Sequence, residues 1–166
     1  LRHYPACQVA SVTVRGTIES AGNRGFYPLV NYISGNNQAA QKIAMTAPVI
    51  QEPVGDEVYE VTFVLPSGYD LNDLPVPRDS AVEVKTMPEH FALAHEFSGM
   101  WSQKRFETAE SHLRNAFPAI AEKKGLSASV SNKVCIARFD PPWKPGFLRR
   151  NEVLMRVSVQ PKKGEK

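Results

Sequence analysis

Four histidines and two cysteines are the side chains of this sequence best suited to chemistry. His3 sits in Arg2-His3-Tyr4 just ahead of a β-rich stretch, where composition alone makes it an exposed residue with no task. His95 shares an alternating run with Phe91, Leu93 and Phe97. It reads either as a core histidine satisfied by a neighbour or as an imidazole in an apolar cavity, able to reach iron or a polar ligand group. His90, in Pro88-Glu89-His90, and His112, flanking an apolar helical stripe, read as solvated. Cys7 and Cys135 lie in different halves, outside any CxxC or Cys/His spacing that would hold a metal, and read as reduced, partly buried thiols. Carboxylates are scattered, as in Asp56-Glu57 or Asp70 with Asp73. The sequence has no Gly-x-Ser-x-Gly, phosphate-binding loop, dinucleotide fingerprint or His-Glu-x-x-His. A Cys–His dyad is arithmetically available, but no local signature supports it. These residues predict a protein that binds rather than one that catalyses.

The elements that position them must come from a chain of 166 residues, 42% hydrophobic and 22% charged. Such a chain fits one globular domain with a sizeable core. Its 20 basic and 17 acidic residues leave a net charge of +3, too balanced to suggest nucleic acid as a partner. No apolar run is long enough to span a bilayer, and no signal peptide precedes Leu1. The expected location is cytoplasmic, with the opening leucine leaving room for a removed leader. Oligomeric state is not legible. Residues 161–166, ending Lys162-Lys163-Gly164-Glu165-Lys166, are expected to form a disordered basic tail.

Strand and helix signals come in a repeating order. Cys7 to Arg15 is β-rich. Phe26, Leu29, Val30 and Ile33 recur at helical spacing, Gly35 follows as a stop, and Pro28 in the first turn makes this a short helix from Asn23 to Ser34. Ile43, Met45, Ala47 and Val49 alternate as a half-buried strand, and Tyr59, Val61, Phe63 and Leu65 do so more cleanly. Val82 and Val84 lead into the second half, where Phe91 to Phe97 form a strand ending at Gly99. A longer helix opens near Ser102, carries Phe106, Ala109, Leu113, Ala116, Phe117 and Ile120 on one stripe, should be bent or interrupted at Pro118 and ends at Gly125. Strands over 133–139 and 153–159 complete the pattern. The predicted class is α+β: strand–helix–strand–strand written twice, about 1–80 and 81–160. The strands form a curved, mostly antiparallel sheet or distorted open barrel with two helices packed outside.

Two segments stand apart from this pattern. One runs from Ala137 to Val153 and contains Phe139-Asp140-Pro141-Pro142-Trp143-Lys144-Pro145-Gly146-Phe147 followed by Leu148-Arg149-Arg150-Asn151-Glu152. The other is Lys42-Ile43-Ala44-Met45-Thr46-Ala47-Pro48-Val49. Three prolines and a glycine make the first a rigid, specified connection. Arg149 to Glu152 are placed to pair charges internally and brace it. Exposed Trp143 and Phe147 beside Lys144 and Arg149 offer instead a surface for a partner or membrane, a weaker reading in which the protein has no small ligand.

Together the two segments resemble the signatures of the SOUL/haem-binding protein family. The resemblance covers residues 1–160 as a single domain and implies the duplicated fold just described. It also implies a soluble tetrapyrrole-binding protein, acting as a buffer, carrier or sensor, with haem or another porphyrin as cofactor. Arg2-His3-Tyr4 matches members in which the histidine is proposed to ligate haem iron, so His3 is the metal-ligand candidate. In relatives a porphyrin is thought to lie beside the first helix. That assigns Phe26, Leu29, Val30 and Ile33 to its apolar surface and Arg24 or Lys42 to its propionates, with Met45 and Phe63 as neighbours. Read as residues alone, the same four apolar positions are helix–sheet core. The rival reading is a small-molecule effector-binding domain of the bacterial regulator type with a non-haem ligand. That reading calls for a carboxylate buried in the groove, for which Glu60, Glu96 and Glu152 are the candidates.

Overall fold

Alternate side chains along each strand point to opposite faces of the sheet, one covered by the two helices and the other carrying a smaller apolar cluster, and this division positions everything that follows. The computed structural model describes residues 1–128, 133–141 and 143–159; the tail expected over 161–166 lies outside them. In chain order the elements are β1 (Arg2–Tyr4), β2 (Cys7–Arg15), α1 (Ile18–Ile33), β3 (Val49–Gly55), β4 (Val58–Val64), β5 (Val82–Met87), β6 (His90–Ser98), α2 (Gln103–Lys124), β7 (Leu126–Ala128), β8 (Val134–Arg138) and β9 (Arg150–Val159). All named strand pairings are antiparallel, and eight strands run in the order β1-β6-β9-β8-β3-β4-β2-β5, with β7 on β9. The expected repeat is present: β2-α1-β3-β4 makes one half, β6-α2-β8-β9 the other, and β3 pairs β8 at the seam.

Each half buries its own helix. Leu29, Tyr32 and Ile33 of α1 pack with Ala10, Val12, Val61, Phe63 and Val82. Phe106, Ala109 and Leu113 of α2 pack with Leu93, Ile136, Val153 and Met155. The opposite face carries a smaller cluster of Ala92, Cys135, Ala137 and Leu154. No helix among the described residues is long and apolar enough to cross a membrane.

Two elements depart from expectation. The first helix begins five residues early, at Ile18, capped by Thr17, whose hydroxyl accepts from the Ser20 N–H at 3.2 Å. Pro28 therefore lies in its interior, at the cost of one helical hydrogen bond. Packing outweighs that cost: α1 lies so close to β4 that a methyl group on Gly25 would collide with Val61. The strand expected from Ile43 starts instead at Val49. Pro48 has no N–H for a ladder, while the Ile43 N–H bonds the Ile33 carbonyl at 2.8 Å and its side chain enters the core. Residues 42–48 thus form a loop laid against the end of α1. The second helix has Ser102 as cap and Gly125 at its end as expected, but Pro118 does not interrupt it.

Candidate functional site

The two distinctive segments, about ninety residues apart in sequence, meet in space. Val49 pairs with Arg138 across the seam, so the chain entering β3 and the chain leaving β8 emerge side by side. Between these two loops and the early turns of α1 lies a groove of about 330 Å³. Phe26, Met45, Ala47, Val49, Phe139 and Trp143 give it apolar walls; Gly22, Trp101 and Arg138 also line it. Trp143 is 80% exposed and stands at the lip.

The connection after β8 is braced chiefly by Asp140, outside the Arg149–Glu152 stretch, within which Arg150 pairs with Glu152. Asp140 accepts from Lys144 Nζ and from the Arg150 backbone N–H, both at 2.6 Å, and these bonds hold its carboxyl below the usual carboxylate range. Arg149 Nε donates to the Lys144 carbonyl at 2.7 Å. Trp101 is fixed by its own indole N–H, which donates to Asn151 Oδ1 at 2.9 Å, while Asn151 Nδ2 donates to the Gly99 carbonyl.

Arg138 is the unusual residue of the site. It is only 4% exposed, and its guanidinium lies 3.9 Å from the Trp101 ring centroid. Its hydrogen bond is a long one, from Nη2 to the Ile18 carbonyl at 3.4 Å, and its Nε has no partner. Among the described residues no carboxylate lies within ion-pair distance of it. Burial pushes its pKa down to about 10, with Glu19 pulling weakly the other way. Gly22 makes its position feasible, because a methyl group there would collide with the guanidinium.

Of the residues expected at a ligand site, Phe26 and Met45 line the groove. Leu29, Ile33 and Phe63 are buried in the core, and Val30 packs half-buried against it. Phe63 meets the site through Phe26, ring edge to ring at 5.5 Å, and as the cross-strand partner of Val49. Arg24 donates to the Arg15 carbonyl at 2.9 Å, and neither it nor exposed Lys42 lines the groove. His3 lies on β1, its ring 4.8 Å from Phe91 and its Nε2 3.3 Å from Glu89, outside the groove. His95 is half-buried with its ring 5.6 Å from that of exposed His112, and His90 stacks on Tyr4. Trp101, Arg138 and Phe139 were not foreseen as site residues. Arg138 did leave a signal: it is a cation at the inward phase of the Val134, Ile136, Arg138 alternation.

The opposite face of the sheet holds a second cavity, about 260 Å³, lined by Ile50, Ala92, Leu154, Phe139 and both cysteines. Burial raises both thiols, Cys135 to about 12, so neither is a ready nucleophile. Near it Glu152, fully buried, accepts from Arg2 and Arg150 at 2.6 Å each. Burial alone would raise this carboxyl, but the two arginines outweigh burial and hold it low. Glu60 is held by Lys85 and Glu96 by Arg150.

The geometry defines a duplicated strand–helix–strand–strand protein with an aromatic groove at its seam. The chain belongs to the SOUL family: the model of the SOUL heme-binding protein matches residues 1–156. Heme-binding protein 1 of Xenopus tropicalis is 26% identical over 159 residues, covering 92% of this chain and 80% of the relative. Heme-binding protein 2 of Homo sapiens is 28% identical over 164 residues, covering 92% and 78%. Solved structures share the fold at much lower identity. The EcmrR C-terminal domain superposes with a TM-score of 0.63 at 12% identity, covering 96% of each chain. SAV2435 bound to tetraphenylphosphonium superposes at 0.54 and 11%, covering 95% of this chain and 92% of that one.

Proposed function

We propose that the protein binds a tetrapyrrole, haem or a related porphyrin, reversibly in the groove between α1, the 42–48 loop and the connection after β8, and serves as a buffer, carrier or sensor. The observation that carries this reading is the convergence of both distinctive segments on one aromatic groove with a buried cation in its lining. Phe26, Phe139, Trp101 and Trp143 offer ring faces and edges to a flat macrocycle. At about 330 Å³ the groove is at the low end of ligand sites, roughly 300–1,000 Å³, so part of a porphyrin would remain in solvent. The described lining residues include no histidine or cysteine, and Met45 supplies the thioether. Binding would therefore rest on apolar contact more than on iron ligation, and His3, outside the groove, is not required. Membership of a family whose relatives are named heme-binding proteins supports the same reading.

An absorbance titration with haem and with metal-free protoporphyrin tests it. Saturable binding of both, unchanged by His3→Ala and abolished by Ala47→Trp, is the expected result. Absence of saturable binding of either porphyrin overturns the proposal. A second reading, a non-haem ligand on the opposite face, draws on the other cavity, the buried Glu152 and the likeness of fold to SAV2435 bound to tetraphenylphosphonium. It is the weaker one for a cationic guest, because Arg2 and Arg150 already neutralise Glu152.

A further inference from the structure

We infer that Arg138 is the anchor for a carboxylate of the groove's ligand, so that the site selects flat apolar acids over neutral molecules of the same shape. The inference rests on reading the groove as the ligand site, and it deepens that reading by naming the group that is recognised and the residue that recognises it. A guanidinium buried without a counter-charge is costly, because it has exchanged water for partners that do not compensate it. Arg138 is in that position: it is nine-tenths buried, has an orphaned Nε, donates one long hydrogen bond and lines the groove.

The acids near it are already engaged. Asp140 holds Lys144 and the Arg150 N–H, and Glu19 accepts from the Gln103 N–H at 2.8 Å. Gln51 Oε1, the other buried side-chain polar atom without a partner among the described residues, carries no charge and does not line the groove. A carboxylate entering the groove would therefore meet a guanidinium whose Nε–H has no partner, in a lining where the one carboxylate among the described residues, Asp140, already accepts two hydrogen bonds, and a planar guanidinium is well shaped to bind carboxylate. Trp101 holds the guanidinium from one side and Gly22 leaves space for it on another, so the cation is preorganised and little is lost on binding. Arg24 and Lys42, the cations that sequence resemblance favoured, have no such placement.

The test compares protoporphyrin IX with its dimethyl ester, in the same solvent, on the wild type, Arg138→Met and Arg138→Lys. Circular dichroism and melting confirm that each variant folds. In parallel the Arg138 Nε–H resonance is followed by NMR during titration with 2-naphthoate, a small flat acid. Expected are a diacid bound roughly ten- to a hundredfold more tightly than the ester by the wild type, loss of that preference in Arg138→Met, partial retention in Arg138→Lys, and a naphthoate-dependent Nε–H shift. Equal binding of diacid and ester by the wild type, with Arg138→Met unaltered and the resonance unmoved, overturns the inference and leaves the tetrapyrrole reading standing. Failure of both porphyrins with a naphthoate shift that Arg138→Met abolishes overturns the tetrapyrrole reading and leaves the carboxylate anchor. Failure of all three probes removes both.

Discussion

Replacing Arg138 with methionine in the ligand-free protein should stabilise it, although the change removes a charged residue from the middle of the fold. The arithmetic comes from its surroundings. Burial lowers its pKa from 12.5 to about 10, which corresponds to roughly 3 kcal/mol of penalty on the charged form. That penalty is in force at every pH below about 10, so a comparison at pH 7 reads it in full. Against it stand the stacking on Trp101 at 3.9 Å, worth about 2 kcal/mol when desolvated, and a bond to the Ile18 carbonyl too long at 3.4 Å to add much. About 1 kcal/mol of net destabilisation remains. Methionine keeps much of the side-chain volume and a favourable sulfur contact with the indole. Calorimetric melting of both ligand-free proteins should show the variant higher by roughly 2–4 °C. A variant that melts more than about 5 °C below the wild type would refute the reasoning, because it would show that the guanidinium has a strongly stabilising partner. A wild type that is less stable than its variant when empty is what a site kept for binding predicts.

Three further expectations can be checked with the same preparations. Glu152 has a carboxyl held below its ordinary value of 4.5, so its contribution is complete above that pH and is lost as pH falls through the lowered value; the stability gap between wild type and Glu152→Gln in urea titrations should be constant from pH 7 to about 5 and shrink towards pH 3. Leu29→Ala empties a fully buried position at a cost of about 3 kcal/mol, seen as a melting point roughly 6–12 °C lower, and the folded variant should bind porphyrin as the wild type does. Trp143→Ala, at an 80% exposed position, should leave melting unchanged while weakening porphyrin binding about three- to tenfold through lost stacking. Affinity equal to wild type would take Trp143 out of the site.

Local rules carried the reading as far as they act locally. Strand character in 59–65 and 91–97, the cap at Ser102 and the stop at Gly125 needed only near neighbours, and the structure has them; the burial does not alternate, since Val61, Thr62 and Phe63 are all buried and Phe91 is exposed beside buried Ala92. They failed where a distant contact outweighed a local preference. Pro28 looked like a helix start, yet packing on Val61 keeps it inside α1. Met45 and Ala47 looked like alternate residues of a strand, yet Pro48 and the pull of Ile43 into the core make them the wall of a groove. Leu29, Ile33 and Phe63 had the composition of either core or cofactor surface; only their burial between α1 and the sheet assigns them to the core.

Resemblance carried by two short segments marked the family and the doubled α+β pattern without coordinates. Which residues surround the groove was settled by the pairing of Val49 with Arg138, which joins segments ninety residues apart. A side chain's type can be read from sequence, but whether it has a counter-charge depends on what folding brings within a few ångströms. Arg138 is a cation in any conformation, and only the tertiary structure buries it unpaired.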